Sequence, residues 1–161
     1  MNDQEFIADL IEVIETGVFK SEHLFHYGGG VLGVLSLKTG RSEGNFKAES
    51  GEEYNFKKTS PWKSHYEWRD NTSLVASAIP KGKLSRAFII EYQGIVYGLL
   101  PGGSKLRSWK IKKSSTQDIC EYIPRGIFKR GAMIKIGAEI PVGLLVFCYC
   151  LVSKRWQEQS S

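Results

Sequence analysis

Three histidines, His23, His26 and His65, are the side chains best suited to acid–base work near neutral pH. His23 and His26 fall short of the usual spacing for two zinc ligands on one helix, and on a strand they would face opposite sides. Strand packing or surface exposure is the expectation for all three. Two of the three cysteines, Cys148 and Cys150, lie in the most apolar stretch, and on a helix they would point about 200° apart. They read, with Cys120, as buried thiols of a reduced compartment. Tyr27-Gly28-Gly29-Gly30 and Pro101-Gly102-Gly103-Ser104 lack the lysine spacing and following helix of a phosphate loop, and read as turns. No nucleophile-elbow sequence is present. The sequence therefore predicts no catalytic residues, no metal site and no cofactor.

A basic run, Lys105-Leu-Arg107-Ser-Trp109-Lys110-Ile-Lys112-Lys113, carries the clearest binding chemistry. On a strand Lys105, Arg107, Trp109, Ile111 and Lys113 share one face, and Lys110 and Lys112 take the other. Cations near an anionic membrane gain about 1 kcal/mol each, and Trp109 would seat at the interface. Arg125, Lys129 and Arg130 form a second cluster. The plainer reading is a solvated edge strand whose lysines block aggregation. Nucleic acid is the rival anionic partner, since the same residue types contact phosphate and stack on bases. No RNP-like, helix-turn-helix or zinc-finger pattern accompanies them.

Charge is divided along the chain. Residues 1–53 hold 4 Lys or Arg against 10 Asp or Glu (net −6), and residues 54–161 hold 18 against 7 (net +11). The acidic start does not resemble an export or mitochondrial signal, so a cytoplasmic protein, peripheral to a membrane at most, is expected. At 161 residues with 42% hydrophobic composition, one domain with a substantial core is expected. Phe6, Ile7, Leu10, Ile11, Val13 and Ile14 recur near helical spacing among acids, predicting an amphipathic helix over residues 1–19 that caps the fold or engages a protein partner. From residue 23 to about 136 short apolar or alternating runs predict strands at 31–37, 54–57, 65–68, 74–79, 88–92, 95–99, 109–111, 119–123 and 132–136.

Two stretches about 44 residues apart share residue types in order. Gly51, Tyr54 and Phe56 match Gly94, Tyr97 and Leu99. Further on, Val75 matches Ile119, and Ile79-Pro80-Lys81-Gly82 matches Ile123-Pro124-Arg125-Gly126. Each copy is a small β-meander, and closing the meanders into one barrel removes both sheet edges. Residues 140–152 are apolar on every side, which predicts a helix buried in the fold. At 1.5 Å per residue it falls short of the ~20 residues that span a bilayer, so a tail anchor through 140–152 is the lesser alternative.

This organisation resembles the tubby C-terminal-like superfamily, which includes tubby, the phospholipid scramblases and the plant LURP-one-related proteins. The resemblance spans roughly residues 24–158. Its carriers are the Gly-x-x-Tyr units, Phe88-Ile-Ile-Glu-Tyr-Gln-Gly94, Ile111-Lys112 with residues 119–123, and the helix at 144–155. No match to the tubby signature or to the palmitoylated cysteine cluster of the scramblases is present. The resemblance implies a closed antiparallel barrel of about twelve short strands over residues 20–161, around a central helix near 140–156. It also implies a non-enzymatic protein that binds phosphoinositide-type lipid headgroups at a membrane surface. Nucleic-acid binding and protein interaction are the alternatives.

Overall fold

The computed structural model describes residues 5–6, 9–17, 21–103, 107–126 and 130–160. Twelve antiparallel strands close into a barrel in which each strand pairs with its neighbours in sequence. They divide into three successive groups of four. The first group holds β2 (Leu10–Thr16), β3 (Ser21–Tyr27), β4 (Gly30–Leu37) and β5 (Glu43–Ala48). The second holds β6 (Glu53–Ser60), β7 (Lys63–Arg69), β8 (Leu74–Pro80) and β9 (Phe88–Tyr92). The third holds β10 (Ile95–Pro101), β11 (Trp109–Ser114), β12 (Gln117–Pro124) and β13 (Gly131–Ile136). Pairing of Ile11 with Ile134 between β2 and β13 closes the ring. A short pair, β1 (Glu5–Phe6) with β14 (Ile140–Pro141), precedes α1 (Val142–Ser160).

The sequence repeat is threefold in space. In each group the third strand carries one extra residue: Leu32, Val75 and Ile119 are skipped where the ladder shifts register. Two consecutive residues are then buried, Leu32-Gly33, Val75-Ala76 and Ile119-Cys120, where strict alternation would bury one. Such bulges bend a strand and tighten its twist, which a sheet needs to close on itself. The first copy eludes sequence comparison because Leu37-Lys-Thr39 stands where the others read Pro-Lys-Gly and Pro-Arg-Gly. Gly131 is required by close approach: a Cβ there would run into the Val13 carbonyl, and its φ of 117° suits glycine.

The helix fills the barrel. Every side chain from Leu144 to Val152 is at most 1% exposed. Phe147 packs on Phe56 and Trp68 at ring distances of 6.0 and 5.7 Å, and the Tyr122 hydroxyl donates to the Leu145 carbonyl at 2.6 Å. No described helix is long and apolar enough to cross a membrane. The expected central helix is present, but it starts at Val142 and burial continues to Trp156; Ile140 and Pro141 precede it as strand.

The expected N-terminal amphipathic helix is overturned. Residues 10–16 form β2, with Ile11 and Val13 buried and the strand paired on one side to β13 and on the other to β3. Leu-Ile-Glu-Val-Ile-Glu-Thr is rich in β-branched residues and puts Ile11 and Val13 on one face of a strand, and closure of the barrel decides for the strand over the helix. Residues 1–4, 7–8 and 18–20 of that expectation lie outside the described residues. All nine predicted strands are present; β2, β3 and β5 in the barrel and the short β1 and β14 are additional.

Candidate functional site

Because the strands run up and down in sequence, alternate connections emerge at the same end of the barrel. The helix enters at one end, beside β14, and leaves at the other. The connections at the exit end carry Lys38, Arg41, Lys81, Lys83, Arg86, Arg107, Arg125 and Arg130. The helix adds Lys154 and Arg155 there, with Glu158, and the strands beneath add Glu12, Glu15 and Glu43, which pair with Arg125, with Arg41 and Arg130, and with Lys38. At the entry end the connections carry Asp9, Glu49, Glu52, Asp70 and Glu139, and no described cation. The repeat accounts for much of this polarity, since Lys38, Lys81 and Arg125 follow equivalent strands.

A ring of hydrogen bonds holds the helix to the barrel at the exit end. Ser21 donates to Glu15 at 3.0 Å, so the 2.9 Å contact between Ser21 Oγ and His23 Nε2 requires a proton on the imidazole. His23 Nδ1 is then an acceptor and takes the Tyr149 hydroxyl at 2.7 Å. Ser153 bonds that hydroxyl in turn. Arg41 closes the ring, donating to Ser153 Oγ and, at 2.6 Å, to Glu15. Arg130 also reaches Glu15, at 2.5 Å, and Lys154 donates to the Gly40 carbonyl at 2.5 Å.

Charge in this ring is fixed by its surroundings. Burial pushes His23 down to about 4, against the pull of Glu15 and with the push of Arg41 and Arg130, so the ring is neutral at pH 7. Burial works against the Glu15 charge, but His23, Arg41 and Arg130 outweigh it and hold the carboxyl below its ordinary value. The Ser21–His23 contact resembles a nucleophile with its base, yet the serine proton is committed to Glu15. The arrangement is built to join β2, β3 and the β4–β5 connection to α1.

At the same end, an open cleft of about 700 Å³ lies between the start of β7, the β8–β9 connection and the helix end. Lys63, His65, Lys83, Arg86 and Arg155 line it. Arg86 lies over the Trp109 ring at 5.5 Å, and Arg155 over Phe88 at 4.6 Å while contacting Glu158 at 3.3 Å. No described acid forms an ion pair with Lys63, Lys83 or Arg86. Held apart by strand spacing and without counter-charges of their own, these cations suit phosphate or carboxylate groups.

No protein-family model, curated protein or solved structure matches this chain. The site rests on its own geometry.

The predicted site residues are dispersed. Arg107, Arg125 and Arg130 reach the basic end, where Arg125 pairs with Glu12 at 3.5 Å. Lys110 and Lys112 project from the outer wall and share Asp118, at 3.5 and 3.2 Å. Lys113 lies toward the other end, beside a cleft of about 440 Å³ lined by Tyr92, Tyr97 and Gln117. Trp109 points inward and is 1% exposed, so interfacial seating is not open to it. Lys105 and Lys129 lie outside the described residues. The expected alternation holds from Trp109 to Lys112, where the inner face belongs to the core; Arg107 precedes the strand at a φ of 58° and Lys113 is exposed past a register shift. Sequence reasoning missed Lys63, Lys81, Lys83 and Arg86. Their signal is Lys81-Gly-Lys-Leu-Ser-Arg86, a dense basic stretch at the very turn that the repeat marks.

The thiols are inert packing groups. Burial pushes Cys120 up to about 12, and Cys148 and Cys150 also rise well above the ordinary thiol value.

Proposed function

We propose that this protein is a non-enzymatic, tubby-like barrel that docks its basic end on anionic lipid headgroups at a membrane surface. The observation that carries the reading is the segregation of charge between the two ends. A protein with both signs interspersed gains nothing from orientation, whereas a basic face opposite an acidic one is turned toward a negative surface on approach. Cations near such a surface contribute about 1 kcal/mol each, so four or five give binding that is reversible and sensitive to salt. The cleft at Lys63, Lys83, Arg86 and Arg155 is the place for a phosphorylated headgroup, such as a phosphoinositide. The resemblance to the tubby-like superfamily supports the same class of ligand.

The test is co-sedimentation with neutral, phosphatidylserine and phosphoinositide vesicles at low and physiological salt. Salt-sensitive binding to the anionic vesicles alone is expected, weakened roughly thirtyfold by Lys83→Gln with Arg86→Gln, at about 1 kcal/mol per charge. Capture by single-stranded nucleic acid in preference to vesicles would replace lipid with the rival anion.

A further inference from the structure

We infer that Trp62 and Leu84 are wedges that enter the bilayer interface, so that the barrel docks off its axis on the β6–β7 and β8–β9 connections. The inference rests on the lipid-surface reading and goes past it, from electrostatic docking to hydrophobic insertion and a defined orientation.

Among the large apolar side chains these two stand apart: Trp62 is 90% exposed and Leu84 is 100% exposed. A single exposed leucine on a soluble protein needs no explanation. Here two such residues occupy connections at the same end, on either side of the paired strands β7 and β8. Trp62 sits in the tight turn after Pro61, with its backbone N–H on Ser60 Oγ at 3.3 Å. Leu84 is at the centre of Lys81-Gly-Lys-Leu-Ser-Arg86.

What surrounds them selects the occupant. Lys63, Lys81, Lys83 and Arg86 flank the two tips, and no described acid pairs with any of them. Apolar tips in a cationic collar match the layering of an anionic bilayer, with headgroups outside and acyl chains beneath. Tryptophan favours that interface, because its ring is apolar and its N–H finds water or headgroup oxygen. A nucleic acid would use the cations and could stack on Trp62, but it offers nothing to Leu84. Away from Leu84 the outer wall continues apolar: Ile79 and Ile89 are register partners on β8 and β9, 42% and 37% exposed. The opposite rim bears the acids, so a membrane reached by Trp62 and Leu84 is approached with the acidic end held away.

The tryptophans make this measurable. Trp68, Trp109 and Trp156 are buried, so a change in emission on mixing with vesicles reports Trp62. The probe is full-length protein with phosphatidylcholine/phosphatidylserine vesicles, with and without brominated acyl chains. Expected are a blue shift, quenching by the bromines, loss of both in Trp62→Phe, and at least tenfold weaker sedimentation of Trp62→Ser with Leu84→Ser at an unchanged melting temperature. Salt-sensitive binding with no shift, no quenching and full binding by the double variant would overturn insertion and leave electrostatic docking intact. No binding of the wild type to anionic vesicles would overturn both.

Discussion

His23 is the residue at which the barrel departs from its own repeat. Its equivalents in the other two groups are Tyr66 and Trp109, which pack as aromatics, whereas His23 is buried with both ring nitrogens in hydrogen bonds. Burial holds its pKa near 4, below the unfolded value of 6.5. Between those values the unfolded chain binds a proton that the folded chain does not, so stability is full above pH 6.5 and falls as pH drops toward 4. The loss amounts to at most about 3 kcal/mol, at 1.36 kcal/mol per pKa unit. Glu15, with its pKa lowered, acts in the same direction below its unfolded value of 4.5. Chemical denaturation at pH 7 and pH 5 is expected to show the loss in the wild type and a much smaller one in His23→Gln. None of this ring was legible in the sequence. Its bonded partners lie up to 126 residues apart, and Glu15 was placed on a helix whose acids would face water.

At the scale of elements, the helix and most strands were legible because their signals are local. A stretch apolar on every side has to be buried, and alternating runs between glycines have few other solutions. Leu145 is 0% exposed inside the barrel, so Leu145→Asp buries an unpaired charge and is expected to abolish soluble folding, while Leu145→Met is tolerated. Soluble, cooperative unfolding of the aspartate variant would contradict the placement of α1. The segment 10–16 was misread because its four apolar residues fall on one face of a helix, and the deciding pairing partners are remote in sequence. A strand makes a sharp prediction: Val13→Glu, on the inner face, unfolds the protein, and Ile14→Thr, half-exposed on the outer face, shifts the melting temperature by only a few degrees. Equal damage from both would fit a buried helix instead. The repeat was visible in two copies through conserved turn chemistry, and the third emerges from the bulges at Leu32, Val75 and Ile119.

For the whole molecule, charge polarity could not be read along the chain, because it arises from folding. The basic residues are scattered from Lys38 to Arg155, and only alternation of the connections collects them at one end. The basic run that looked most like a site was instead divided among core, wall and rim. Long-range steering by a polar charge distribution falls with ionic strength. Lys81→Glu with Lys83→Glu is therefore expected to slow association with anionic vesicles in stopped-flow mixing. Glu49→Lys with Glu52→Lys, at the acidic end, leaves docking itself in place. The central claim, that one named end faces the lipid, is tested most directly by amide hydrogen exchange with and without phosphatidylserine vesicles. Added protection is expected at residues 62–63 and 81–87, with residues 49–52 and 70–73 unchanged. Protection at the acidic connections, or evenly around the barrel, would contradict it.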